Sequence, residues 1–140
     1  MDKEPYALSI ANALWRYGKM ENNELSPIFH NLPEKFKVPS IFFPVQEITS
    51  DRDTLSSFKF THLWNVKVFG TSTEEAFSIV SRIQRELASK KWRVPILNKD
   101  SSETGEYITL QRPSVREVND LVVMISFSWD ERCYYDYKQK

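Results

Sequence analysis

The residues that could do chemistry are few. His30 and His62 are the only histidines and Cys133 the only cysteine. Neither histidine has a Cys or His neighbour at ligand spacing, so no metal site is expected. His62 falls in the alternation Phe60–His62–Trp64 and reads as a satisfied core or edge histidine. Cys133 stands beside Arg132, whose charge favours a thiolate, but it lacks a recognisable base partner and reads as a surface thiol. Asp51 and Asp53 pair two carboxylates inside "TSDRDTLSS". A general acid or base needs a held geometry, and this polar run has no periodicity. The junction "GTSTEE" offers a helix start of the kind that binds phosphate. Glu74 and Glu75 already occupy the positive end of that helix dipole, so it reads as a helix start alone. With only three glycines the chain has no Gly-rich phosphate loop. The expectation is a protein without catalytic, cofactor or metal residues, not an enzyme.

The elements that would hold any site are easier to read. A length of 140 residues predicts one domain, 1–140, and a hydrophobic fraction of 41% predicts a globular one. A formal net charge of zero lacks the basic footprint of nucleic-acid binding. A single cysteine excludes an internal disulfide and suits a reducing compartment. No signal peptide is visible, and "LVVMI" is too short to cross a bilayer; synthesis in a cytoplasm is expected.

Residues 5–17 predict a helix, with Pro5 in its first turn, Ala7, Ile10, Ala11 and Leu14 on one face, and Gly18 as a left-handed stop. A short strand is expected at 28–30. "SIFFPVQEI" predicts a strand at an edge, or bulged, because Pro44 removes a ladder donor. "TSDRDTLSS" predicts an extended hairpin loop whose ends can continue the strands. Phe58, Phe60, His62, Trp64, Val66 and Val68 then alternate onto one face of a long strand. Gly70 ends it. Thr71 and Ser72, with Glu74 and Glu75, predict a doubled capping box before a helix whose stripe is Ala76, Val80, Ile83 and Leu87. "KKWRVPIL", "YITLQR" and "LVVMISFSW" predict three strands. "NKDSSETGE" predicts a loop, and Asn119–Asp120 a tight turn before a strand with Leu121, Val123, Ile125, Phe127 and Trp129 on one face. Trp92 and Pro95 in "KKWRVPIL" read as interface or sheet-edge residues. The fold class is α+β: a single antiparallel, or mixed, sheet of about four to six strands packed by two main helices.

The layout "SPIFHNLPEKFKVP", "SIFFPVQEI", "TSDRDTLSS", "FKFTHLWNVKVFG", "TEEAFSIVSRIQREL" and closing "LVVMISFSW" resembles the tail terminator (tail completion) proteins of long-tailed bacteriophages and related phage-tail-like particles. The likeness covers nearly the whole chain through patterns of character, and other head–tail joining proteins share the general layout. It implies a structural virion protein forming a hexameric ring at the head-proximal end of the tail. Its partners would be other copies of itself, the tail tube protein and head–tail connector proteins, with no membrane and no sequence-specific nucleic acid. Asp51, Arg52, Asp53, Pro44, Trp92 and Pro95 are the interface candidates. A second reading is a small ligand- or nucleic-acid-binding module using Lys59, Lys67, Lys90, Lys91 and Arg93.

Overall fold

The computed structural model describes residues 6–135. Pro5, expected in a helical first turn, lies outside them, as do residues 136–140; of the tail "DERCYYDYKQK", whose sequence allows either an extension of the last strand or a free end, the part to Tyr134 extends β8. The element order is α1 (Tyr6–Glu21), β1 (Ser26–His30), β2 (Ser40–Pro44), β3 (Glu47–Arg52), β4 (Ser57–Phe69), α2 (Thr73–Ser89), β5 (Arg93–Leu97), β6 (Glu103–Thr109), β7 (Gln111–Asn119) and β8 (Val122–Tyr134). The fold is α+β, as expected. The main sheet has six strands in the order β1-β2-β4-β8-β7, with β3 continuing along β4 beyond β2. All pairings are antiparallel except β1–β2. Strands β5 and β6 form a separate two-stranded sheet rather than joining the main one.

The long strand β4 pairs with β8 without a break, from Ser57↔Tyr134 to Phe69↔Val122. Its alternation works because one face is covered. Trp64, Val66 and Val68 of β4, with Val123, Ile125, Phe127 and Trp129 of β8, are buried with Ala76, Val80, Ile83 and Leu87 of α2. Phe60, expected on the same packed face, is only half-buried because α2 does not extend over that end of β4. Leu121 is likewise corrected: it is 47% exposed, in the Asp120–Leu121 turn, and β8 begins at Val122.

Helix α1 packs against α2 and β5, not on the sheet alone. The Ser9 hydroxyl accepts from Leu97 N–H at 3.0 Å and ties the helix to the small sheet. Gly18 does not stop this helix, which runs on to Glu21. It is buried at the α1–α2 crossing, where a Cβ would lie 2.6 Å from Leu25 Cδ2 and 3.1 Å from Ile79 Cγ2. Close approach of helices, not backbone freedom, requires glycine there.

Gly70 makes the turn from β4 into α2, where a Cβ would meet the Ser72 carbonyl oxygen at 2.8 Å. The cap that follows is single, not double. Ser72 is extended (φ −148, ψ 162), and its Oγ accepts from Glu75 N–H at 3.1 Å. Glu75 Oε1 reaches back to the Thr71 N–H at 2.7 Å, and its other oxygen accepts from Asn22 Nδ2 at 3.1 Å. This carboxylate satisfies donors that a phosphate would need. Ser72→Ala is expected to cost about 1 kcal/mol in a urea titration, the usual worth of such a cap. An unchanged midpoint would mean that Thr71 can substitute as the cap.

Candidate interaction surface

"SIFFPVQEI" proves to be two strands. β2 and β3 follow one another along the same side of β4, and β1 covers the outside of β2, so β2 is not an edge. The register changes between Phe42↔Lys67 and Glu47↔Leu63: five steps along this side oppose four along β4. That extra residue is a bulge beside Pro44, the second of the two arrangements expected there. Its consequence is a change of phase. In β2, Ile41 and Phe43 face the core, whereas in β3 the residues on the helix side are Ile48, Ser50 and Arg52.

The gap opened at the bulge is closed by Trp64, whose Nε1–H donates to the Pro44 carbonyl at 2.6 Å. Around that ring stand Phe43 at 5.3 Å, Trp129 at 5.8 Å and Phe127 at 6.3 Å between centroids. His62, next along, stacks flat on Trp129 at 4.8 Å. Its Nδ1 lies 2.7 Å from Gln46 Oε1 and its Nε2 3.3 Å from Glu131 Oε1. It is the satisfied histidine that its alternation suggested, held between β3 and β8 and not at an edge.

Beyond this point β3, the first half of β4 and the end of β8 extend past the helices as a three-stranded arm. The ends of "TSDRDTLSS" continue the strands, the reading open to its hairpin loop. Asp51 and Arg52 belong to β3, opposite Lys59 and Phe58, and only residues 53–56 turn. Asp53 is a structural part of that turn. It accepts from Arg132 Nε at 2.6 Å, and its backbone N–H donates to the Ser57 carbonyl at 3.1 Å. The bond to Asp53 holds the Arg132 guanidinium pKa above its ordinary value. Lys59 and Thr61 both reach Asp130, at 3.9 and 2.9 Å. Phe58 packs edge-on to Phe60 at 5.4 Å and against Tyr135 at 5.1 Å.

The structure does not gather the six interface candidates in one place. Pro44, Asp51, Arg52 and Asp53 follow one another along the β2–β3 side. Trp92 and Pro95 belong to the small-sheet region. Trp92 is half-buried with φ 60, following Lys91 at φ 57, and its N–H donates to the Leu87 carbonyl at 2.8 Å to close α2. Pro95 pairs with Tyr107 and lines a cavity of about 700 Å³ between α1 and the β5–β6 hairpin. Arg16, Lys90 and Arg93 contribute positive charge to that cavity, balanced by Glu86 and Glu103. The hydrogen bond from Lys90 holds the Glu86 carboxyl below its usual range. The basic residues of the binding-module reading are split: Lys59 and Lys67 alternate away from the helices, while Lys90, Lys91 and Arg93 lie past α2. Among the described residues no group of three His, Cys, Asp or Glu could hold a metal. Nor is any helix among the described residues long and apolar enough to cross a membrane.

Sequence reasoning missed the opposite edge of the sheet. β7, Gln111–Asn119, carries Arg112, Arg116 and Glu117 in a stretch exposed almost throughout. Its polar residues show no one-face pattern, so nothing but its charges marked it.

No family model matches the chain. It is 31% identical to the uncharacterized protein YqbJ of Bacillus subtilis (strain 168) over 105 residues, 75% of this chain and 72% of YqbJ. It is 27% identical over 110 residues to XkdJ, a protein of the phage-like element PBSX of the same organism, covering 78% of this chain and 75% of XkdJ. Among solved structures, a chain from the virion of a native gene transfer agent particle aligns over 91% of this chain and 98% of its own. The TM-score is 0.43 and the identity 10%, too slight a likeness to bear on fold or function. The extent and identity of the YqbJ match are decisive, and the chain belongs to the YqbJ family.

Proposed function

We propose that this protein is a phage structural protein, and more specifically a tail terminator. It forms a ring on the head-proximal end of a tail tube, ends tube polymerisation and joins the tail to the head, in a phage or phage-tail-like particle assembled in the bacterial cytoplasm. The observation that carries the reading is the kinship with XkdJ, a protein of a phage-like element. The α+β layout that resembles tail terminators supports the finer assignment. The exposed arm and sheet edges suit a protein whose work is contact with other subunits, and the role requires no catalytic step.

The test is removal of the gene from the particle that carries it. Over-long tails, or full heads and tails that fail to join, are expected, with rescue when the gene is supplied in trans. Tails of normal length joined to heads would refute the role.

Such a ring need not persist off the tube. The large aliphatic and aromatic side chains are mostly committed to the core, and obligate interfaces are large and apolar. Native mass spectrometry at low micromolar concentration is expected to show mainly monomer. A two-fold dimer as the sole species would contradict a head-to-tail ring.

A further inference from the structure

The main sheet leaves β3 and β7 as open strands on opposite sides. β3 is exposed at all six positions and contains no proline. A flat edge of this kind is a template for another strand unless something covers it. β7 is regular against β8 only over Ser114–Glu117, flanked by irregularities at Gln111/Ser114 and Glu117/Asn119.

The charges on these edges are complementary on both faces. On the face turned away from the helices, β3 presents Glu47 and Asp51, opposite Leu63 and Lys59, and β7 presents Arg116, opposite Met124. On the helix side β3 presents Arg52, opposite Phe58, and β7 presents Glu117, opposite Val123. Between the two edges several charges are paired within the chain: Lys59 with Asp130 and Asp53 with Arg132. Those of Glu47, Asp51, Arg52, Arg116 and Glu117 meet no side-chain partner among the described residues.

We propose that copies of this chain join head to tail by pairing β3 of one with β7 of the next, antiparallel, with Asp51 opposite Arg116. The direction follows from the topology. β3 opposes β4, β4 opposes β8 and β8 opposes β7, so β3 and β7 run in opposite senses within one chain. Copies repeated side by side without inversion therefore meet antiparallel. In this register Arg52 lies diagonal to Glu117, within reach of a cross-strand pair.

The register has an independent check. Stepping back from Asp51 to Ile48 and Val45 corresponds to stepping forward from Arg116 to the β7–β8 turn. Beside Ile48 and Val45, which are 54% and 71% exposed, is an apolar groove of about 350 Å³ lined also by Leu8, Phe29, Phe43 and Trp64. At the end of β7 and in the turn after it, Val118 and Leu121 are 44% and 47% exposed. Charge matching alone thus brings exposed apolar side chains to an apolar groove. Because the two patches differ, the contact is heterologous and repeats until it closes. Only the closure into a ring rests on the tail-terminator reading.

Disulfide trapping tests the pairing, using purified full-length protein with Cys133→Ser to remove the native thiol. Directly opposed residues of antiparallel strands hold their Cβ atoms about 4.5–5.5 Å apart, near enough for a bridge with slight adjustment. A chain carrying both Asp51→Cys and Arg116→Cys should give a ladder of dimers, trimers and higher species on a non-reducing gel. The two single variants mixed should give a dimer only, and each alone a monomer. Absence of the mixed dimer, or dimerisation of Asp51→Cys alone through a β3–β3 contact, overturns the proposal.

If a cysteine variant fails to fold, charge reversal replaces it, read by sedimentation at high protein concentration. Asp51→Arg and Arg116→Asp should each reduce self-association and together restore it, and no restoration overturns the register. The experiment uses no tails. A ladder together with normal tails in the absence of the gene would leave the interface standing and remove the terminator role. Over-long tails without a ladder would do the reverse.

Discussion

Trp64→Ala is expected to destabilise the protein by about 3–5 kcal/mol, the usual cost of truncating a buried aromatic. That is a large share of a typical stability of about 5–15 kcal/mol. The ring is 4% exposed and stands among Phe43, Phe127 and Trp129, so its removal leaves a cavity walled by aromatics that cannot collapse readily. It also strips the Pro44 carbonyl of its indole donor at the place where β2 gives way to β3. Trp64→Phe separates the two effects. It restores much of the volume but not the N–H, and should recover more than half of the loss. Urea denaturation of both variants measures this. A midpoint for Trp64→Ala within error of the parent would mean that the indole is not the plug of the bulge.

Gly18→Val is expected to cost about 1–3 kcal/mol, and more if α1 must move, because overpacking a filled contact forces its neighbours off their preferred positions. The Cβ alone would stand 2.6 Å from Leu25 Cδ2, with Ile79 and Ile83 just beyond. A thermal melt should fall by several degrees. Gly18→Asn distinguishes this from a helix stop. Asparagine is tolerated where a left-handed conformation is the requirement and rejected where space is. A Gly18→Asn protein as stable as the parent would restore the stop.

The contrast between Gly18 and Gly70 shows what could be read from the chain. Both punctuate an apolar stretch. Gly70 ends a strand and Gly18 fills a helix crossing, and that difference depends on a partner helix more than fifty residues away in sequence. Elements with one covered face were legible: β4, β8 and α2 write their burial into a period of two or a helical stripe. β6 and β7 were not, since they are exposed on nearly every residue and bury too little to leave a period. β3, exposed throughout, was anticipated in two pieces, the end of the strand "SIFFPVQEI" and the fringe of the loop after it. The interface candidates Asp51 and Arg52 were found through their charge, yet a complement is visible only when topology places Arg116 and Glu117 on the far edge. Trp92 and Pro95 were singled out for their place in "KKWRVPIL"; in the structure one closes a helix and the other lines a cavity.

β8 follows the other nine elements in the chain, yet it lies between β4 and β7 and buries Val123, Ile125, Phe127 and Trp129. As the polypeptide leaves the ribosome, β4 must wait for its principal partner until more than fifty further residues have been made. Until then one whole ladder edge of β4 stays open and its apolar face is covered by α2 alone, the condition in which nascent chains aggregate or recruit chaperones. The sheet closes only once β8 is present. The β7 edge shares that timing, because β7 acquires its ladder only when β8 arrives, whereas β3 already has its ladder from β4. A chain interrupted before β8 therefore carries the β3 edge without its β7 complement.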